Sequence, residues 1–139
     1  MTSLTSYLIL AVCLIGLWAA THIHHKKRTK KKLVCPLHAN CDKVIHSTYS
    51  TFAGIPNELL GIAYYTVIGV TVALGVLSPL IFSTVPIHEF LAILSFCGVL
   101  YSFYLVAVQI LVLRAWCSWC MLSALSNVAL VIILALPLL

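Results

Sequence analysis

Charge is scarce in this sequence. Of 139 residues only 8% are Asp, Glu, Lys or Arg, where a water-soluble domain carries roughly a quarter, and that shortage excludes a soluble globular protein. Gly-rich phosphate loops, Ser-His-Asp arrangements and paired carboxylates are also missing. Nucleotide chemistry, triad hydrolysis and two-carboxylate catalysis therefore have no machinery here. No strand-type alternation, internal repeat or low-complexity linker stands out. What the chain has instead is apolar surface: 63% of its residues are hydrophobic and the mean hydropathy is +1.13.

Four stretches, near Leu4–Thr21, Leu59–Phe82, Glu89–Leu113 and Trp116–Pro137, each supply the about 20 apolar residues that cross a bilayer as a helix. They use most of the chain, so the expectation is an all-α integral membrane protein of one domain, residues 1–139, built as a four-transmembrane-helix bundle in the cell membrane. The first stretch lacks the positive front and small-residue cleavage pattern of a signal peptide and is read as a retained helix. Net charge is +5, and most of the basic residues sit in "KKRTKKK" (Lys26–Lys32), just past the first helix. Such a run anchors on acidic headgroups at about 1 kcal/mol per cation. Membrane lipid is thus an expected partner, while nucleic acid, which needs a larger soluble surface, is not.

The long polar connection between the first two spans contains "LVCPLHANCDKVIHSTYSTFAGIPNELLG" (Leu33–Gly61). Asn40 is a good N-cap and Asp42 suits a first helical turn; Gly54 and Pro56 stop the helix. Stepping along it at helical period puts Val44, Ile45, Thr48, Tyr49 and Phe52 on one face, with Asp42, Lys43, His46 and Ser50 opposite. This predicts a short amphipathic helix over about residues 41–53, lying in the interface and roofing the bundle, with Cys41 pointing down.

The 6 cysteines divide into two kinds. Cys13 and Cys97 stand alone in mid-span and read as small packing residues. Cys35/Cys41 and Cys117/Cys120 form two pairs that four spans place on one side of the membrane. Cys117 and Cys120 open the last helix, where unpaired N–H groups and the helix dipole stabilise a thiolate. A Cys-x-x-Cys pair at a helix start suits reversible disulfide exchange. A permanent disulfide, or a tetrahedral zinc held by four thiolates, would use the same residues, although the Cys35/Cys41 spacing exceeds that of common zinc motifs. Two pairs on one face suggest that one exchanges with a soluble partner and passes electrons to the other.

"CPLHANCDKVIHSTYSTFAGIPNELLGIAYY" (Cys35–Tyr65) together with "CSWC" (Cys117–Cys120) resembles the vitamin K epoxide reductase family, in its short prokaryotic or archaeal form without a fused thioredoxin-like domain. The resemblance implies Cys35 and Cys41 as the shuttle pair and Cys117 and Cys120 as the active-site pair beside a quinone. It also implies Ser47, Asn57, Tyr64 and the position of Ala124 as quinone contacts, with Asn57 donating to a quinone carbonyl. The chain departs from the animal enzymes at Ala124, where they carry tyrosine, and at Ile45 and Ala53, where they carry phenylalanine, which favours a simple quinone over an epoxide. Ordinary structural roles stand beside these readings. Ser47 can bond backbone within its helix, and Asn57 can cap the second span. Trp116, Trp119 and Tyr64 can be interface aromatics. His22, His24 and His25 can be solvated beside the basic run, and His38 exposed between the first cysteines.

The implied activity is a membrane thiol-disulfide oxidoreductase that makes disulfides in a thioredoxin- or glutaredoxin-like partner and reduces a quinone of ubiquinone or menaquinone type. In it, Cys41 attacks Cys117 through a mixed disulfide and frees Cys120 to face the quinone. Quinone-epoxide reduction with the same cysteines, and a non-catalytic protein with a structural zinc or disulfide, are the alternatives. One expectation comes from charge alone. Lys26, Lys27, Arg28, Lys30, Lys31, Lys32, Lys43 and Arg114 all fall on the cysteine side. Cations near helix ends are retained in the cytoplasm, so the cysteines are expected to face the cytosol. That orientation suits organisms whose cytosolic proteins carry disulfides; the alternative is the extracellular or periplasmic face.

Overall fold

A computed structural model of the chain describes residues 2–37, 39–84 and 86–136. Helix α1 runs Ser3–Arg28, opening where the Thr2 hydroxyl accepts from the Thr5 N–H. Its last turn holds His25, Lys26, Lys27 and Arg28, cations that oppose the negative end of the helix dipole. The helix therefore continues past the bilayer-length stretch into the basic run. Helix α3 is Asn57–Leu77 and stops before Pro79, which begins the short α4, Pro79–Thr84. The expected continuous span to Phe82 is broken there, because a proline disfavours helical backbone in the residue before it. Helix α5, Ile87–Ala107, passes directly into a π-helical turn, Val108–Leu113. Helix α6, Ser118–Ala135, starts after Cys117; the expected end at Pro137 lies outside the described residues.

Among the described residues, α1, α3, α5 with its π turn, and α6 are the 4 helices long and apolar enough to span a membrane. The protein is an all-α membrane bundle. Helix α1 packs against α3 and α6, and α6 against α5. Ile9, Cys13, Tyr65, Ile68, Leu91 and Leu130 form the core between them. Large apolar side chains such as Leu14, Ile93, Phe103 and Leu125 point outward, which is stable only with lipid as the solvent. A small residue lets α1 and α3 approach: a Cβ at Gly16 would strike the Tyr65 ring. Tyr65 in turn donates its hydroxyl to the Ser123 carbonyl at 2.8 Å, tying α3 to α6.

The roof differs from expectation. Helix α2 covers only Cys41–Ile45, capped by Asn40, whose side chain accepts from the Lys43 N–H. Cys41, Val44 and Ile45 are buried and Lys43 is exposed, so the element is amphipathic and Cys41 points into the bundle. The helix expected to Phe52 and Ala53 ends at His46 because local side chains compete for its carbonyls. Ser47 Oγ donates to the Val44 carbonyl at 2.8 Å, and His46 Nδ1 lies 3.0 Å from the Asp42 carbonyl. A 3₁₀ turn, Thr48–Ser50, follows. Then β1, Thr51–Phe52, pairs antiparallel with β2, Ile55–Pro56. Ala53 and Gly54, both at positive φ, make the two-residue hairpin turn that suits this conformation. Thr48, Tyr49 and Phe52, expected on the buried face, are exposed.

Candidate active site

The roof segment and the start of α6 meet at the cysteines. Cys35, in the loop before α2, and Cys41, its first residue, form a disulfide. The loop is pinned by two bonds to α6 and one to α2. Ser118 Oγ donates to the Pro36 carbonyl at 2.8 Å, Trp119 Nε1 to the Val34 carbonyl at 3.2 Å, and the Leu33 N–H to Asp42 at 3.3 Å. Trp119 thus holds the loop as well as standing at the interface, where it also packs on Trp18 and His22.

Cys117 is fully buried and forms the N-cap of α6, its sulfur accepting from the Cys120 N–H at 3.4 Å. The sulfurs of Cys35, Cys41 and Cys117 all lie within 4.8 Å of one another. The thiol of Cys117 titrates below its ordinary range. The hydrogen bond from the Cys120 thiol is the main cause, helped by the backbone N–H groups of Cys120 and Trp119, against the opposing effect of burial. A thiolate held beside a disulfide is the reactant pair of thiol–disulfide exchange. Three close sulfurs also resemble part of a zinc site, but the joined sulfurs of Cys35 and Cys41 have no thiolate to offer a metal while oxidised.

Gln109 positions this group and was not anticipated from sequence. It sits on the π turn, is buried, and its Oε1 accepts from the Cys117 N–H at 3.1 Å. Its backbone carbonyl accepts from the Ala115 N–H, and Arg114 between them takes the left-handed conformation that reverses the chain. An amide alone in the apolar run "VAVQILVL" was the available signal, because polar groups at that depth are rarely idle.

Cys120, one turn into α6, lines a cavity of about 100 Å³ bordered by α1, α2, α3, α5 with its π turn, and α6. Ser47, Asn57, Glu58, Gln109 and Ala124 share its wall. Of the expected contacts, Ser47, Asn57 and Ala124 are therefore brought together with Cys120. Ser47 stands there while donating its hydroxyl to the Val44 carbonyl. Asn57 does not cap α3, whose N-cap is Pro56. Its Nδ2 donates to the Tyr49 carbonyl at 2.8 Å and its Oδ1 accepts from the Tyr101 hydroxyl at 2.7 Å, leaving one amide N–H unengaged. Tyr64 is not on the wall. It lies two turns further along α3, roughly 10 Å down the axis, packed on Tyr65 and against Gly98.

Glu58 was also unanticipated. Its carboxylate is buried at the cavity wall and faces Lys27 Nζ at 3.3 Å and His24 Nδ1 at 3.8 Å. His24 thus stands beside a buried carboxylate rather than being merely solvated. His38, expected to be exposed between Cys35 and Cys41, lies outside the described residues. Cys13 is buried in the bundle core, while Cys97 is exposed on α5.

Against this geometry, the family model for the vitamin K epoxide reductase family matches residues 7–135. The chain belongs to that family. No curated protein matches it. As a family member with a cysteine cluster at one end of a membrane bundle, it is a multi-pass membrane thiol oxidoreductase. Vitamin K epoxide reductase family proteins are in general linked to quinones, and the cavity beside Cys120 fits such a group. Its wall is largely apolar, and Asn57 keeps a donor for an oxygen.

Proposed function

We propose that this protein oxidises a dithiol in a thioredoxin- or glutaredoxin-like partner and transfers the electrons through two cysteine pairs to a quinone of ubiquinone or menaquinone type. One observation carries the reading. The Cys35–Cys41 disulfide lies within reach of Cys117 on one side, while Cys120, the neighbour of Cys117, stands on a cavity wall on the other. The partner's dithiol reduces the outer disulfide. The reduced outer pair then opens a Cys117–Cys120 disulfide by attack on Cys117, and the outer disulfide re-forms. The inner dithiol that results faces the cavity through Cys120. A quinone bound there takes up two electrons and two protons and leaves as the quinol. Asn57 orients the acceptor with its remaining N–H and supports charge growing on the oxygen. Ala124 puts a small apolar side chain on the wall where the animal enzymes carry tyrosine, which supports a simple quinone as the acceptor.

The eight-cation excess on the cysteine side supports an orientation in which these cysteines face the cytosol and the partner is cytosolic. Purified protein, a reduced thioredoxin and a short-chain quinone should give quinol stoichiometric with thiol oxidised. Cys117→Ser and Cys120→Ser should abolish this with any donor. Cys35→Ser and Cys41→Ser should stop it with thioredoxin yet leave measurable turnover with dithiothreitol. Identical behaviour of all four variants with dithiothreitol would rule out the relay.

A further inference from the structure

A buried carboxylate is costly unless its charge is compensated. Glu58 is one: its side chain is 5% exposed, yet it borders the cavity that Cys120 and Asn57 line. Behind it His24, with a side chain 30% exposed, sits one turn before the end of α1 where the basic run begins. A purely structural ion pair needs Lys27 alone and gains nothing from a place on this wall. We infer that Glu58 and His24 form a proton relay that supplies the acceptor cavity from the aqueous phase.

The inference rests on the proposed function. Closing the Cys117–Cys120 bond sends two electrons to a quinone, whose two oxygens then need two protons. Cys120 is on the wall and hands over its own thiol proton. Cys117 is fully buried and is not on the wall, so its proton leaves elsewhere and an equivalent one must enter. During turnover His24 passes a proton from solvent to the Glu58 carboxylate, a task suited to imidazole, and the carboxylic acid so formed hands it on to the quinone oxygen. The sum is unchanged: dithiol plus quinone gives disulfide plus quinol. Lys27 holds the carboxylate in place between turnovers. The titratable groups facing Glu58 are His24 and Lys27 from α1, Tyr49 from the 3₁₀ turn and Cys120 from α6, so pH profiles are compared between variants rather than read singly.

The test uses the full chain in detergent, reduced with dithiothreitol and mixed in a single turnover with a one-isoprene ubiquinone or with menadione. Glu58→Gln should slow quinol formation by about 10²-fold or more, as loss of a general acid does, and alter its pH profile. Reduction of the Cys35–Cys41 disulfide and quinone affinity should be unchanged. Glu58→Asp should recover part of the rate. His24→Ala, at a partly exposed site that leaves folding intact, should slow the same step and be rescued by added imidazole. Wild-type rates and pH profile in Glu58→Gln, or a slow His24→Ala that imidazole does not restore, would overturn the relay alone. A wild-type protein that makes no quinol from either quinone would overturn the proposed function and the relay with it.

Discussion

Cys35 and Cys41 share a bond but differ in what can reach them. Cys41 is 1% exposed, whereas Cys35 is partly open, so the proposed relay has a protein thiol attack Cys35 and release Cys41 toward Cys117. In Cys120→Ser the Cys117 thiolate attacks the outer disulfide at Cys41 and releases Cys35, and with no Cys120 thiol to carry the bond on to an inner disulfide the protein should accumulate Cys41–Cys117, identified by mass spectrometry after alkylation. Mainly Cys35–Cys117 would reverse the roles of the outer pair. The lowered pKa of Cys117 gives a second expectation. Its thiolate adds stability to the reduced protein above the ordinary thiol range, and this is lost as pH falls through the lowered value. Cys120→Ala removes the main donor to that thiolate, so Cys117 should titrate higher than in the parent. Thiolate absorbance, with Cys117→Ser as the blank, checks this; an unmoved midpoint would assign the shift to the backbone N–H groups instead.

At the scale of elements, the π turn and the roof hairpin aim the site. The extra residue per turn after Ala107 rotates Gln109 onto the Cys117 N–H, a use typical of π bulges. Gln109→Leu should leave that buried N–H without a partner and cost about 1–3 kcal/mol, read as a lower melting temperature in detergent together with slower exchange between the two pairs. A loss of stability with unchanged exchange would make Gln109 a packing residue only. The α1–α3 contact makes a different prediction. Tyr65 cannot swing away from a methyl at Gly16 without giving up its bond to Ser123, so Gly16→Ala should destabilise the bundle by about 1–3 kcal/mol through overpacking. A melting temperature equal to the parent's would show that the helices can part at no cost.

For the whole molecule, the question is which aqueous phase the site meets. α1 and the π turn end, and α3 and α6 begin, at the cysteine end, and that end carries all eight cations of the chain. The expected outcome is protection of the cysteines in intact cells from a membrane-impermeant thiol reagent, with labelling once the membrane is opened. Protein reduced beforehand with a permeant thiol exposes Cys35 for the assay. Rapid labelling of Cys35 from outside would overturn the cytosolic orientation.

Much of this protein is legible in one dimension because lipid imposes a simple rule: each span must be apolar over about 20 residues and must bond its own backbone. Four spans, the amphipathic start of the roof, and two cysteine pairs on one side follow from that rule and from spacing. Ser47, Asn57 and Ala124 beside Cys120 came through family resemblance, since nothing in their local spacing brings α2, α3 and α6 to one cavity. The length of the roof helix escaped because hydrophobic period counts faces but not the competition of Ser47 and His46 for carbonyls. Tyr64 was misplaced because a residue on the right helix can still be two turns too deep. Gln109, Glu58 and His24 were decided only by tertiary structure. A π turn depends on how α5 packs and reverses at Arg114, and a carboxylate's role depends on which cations and which cavity the neighbouring helices bring to it.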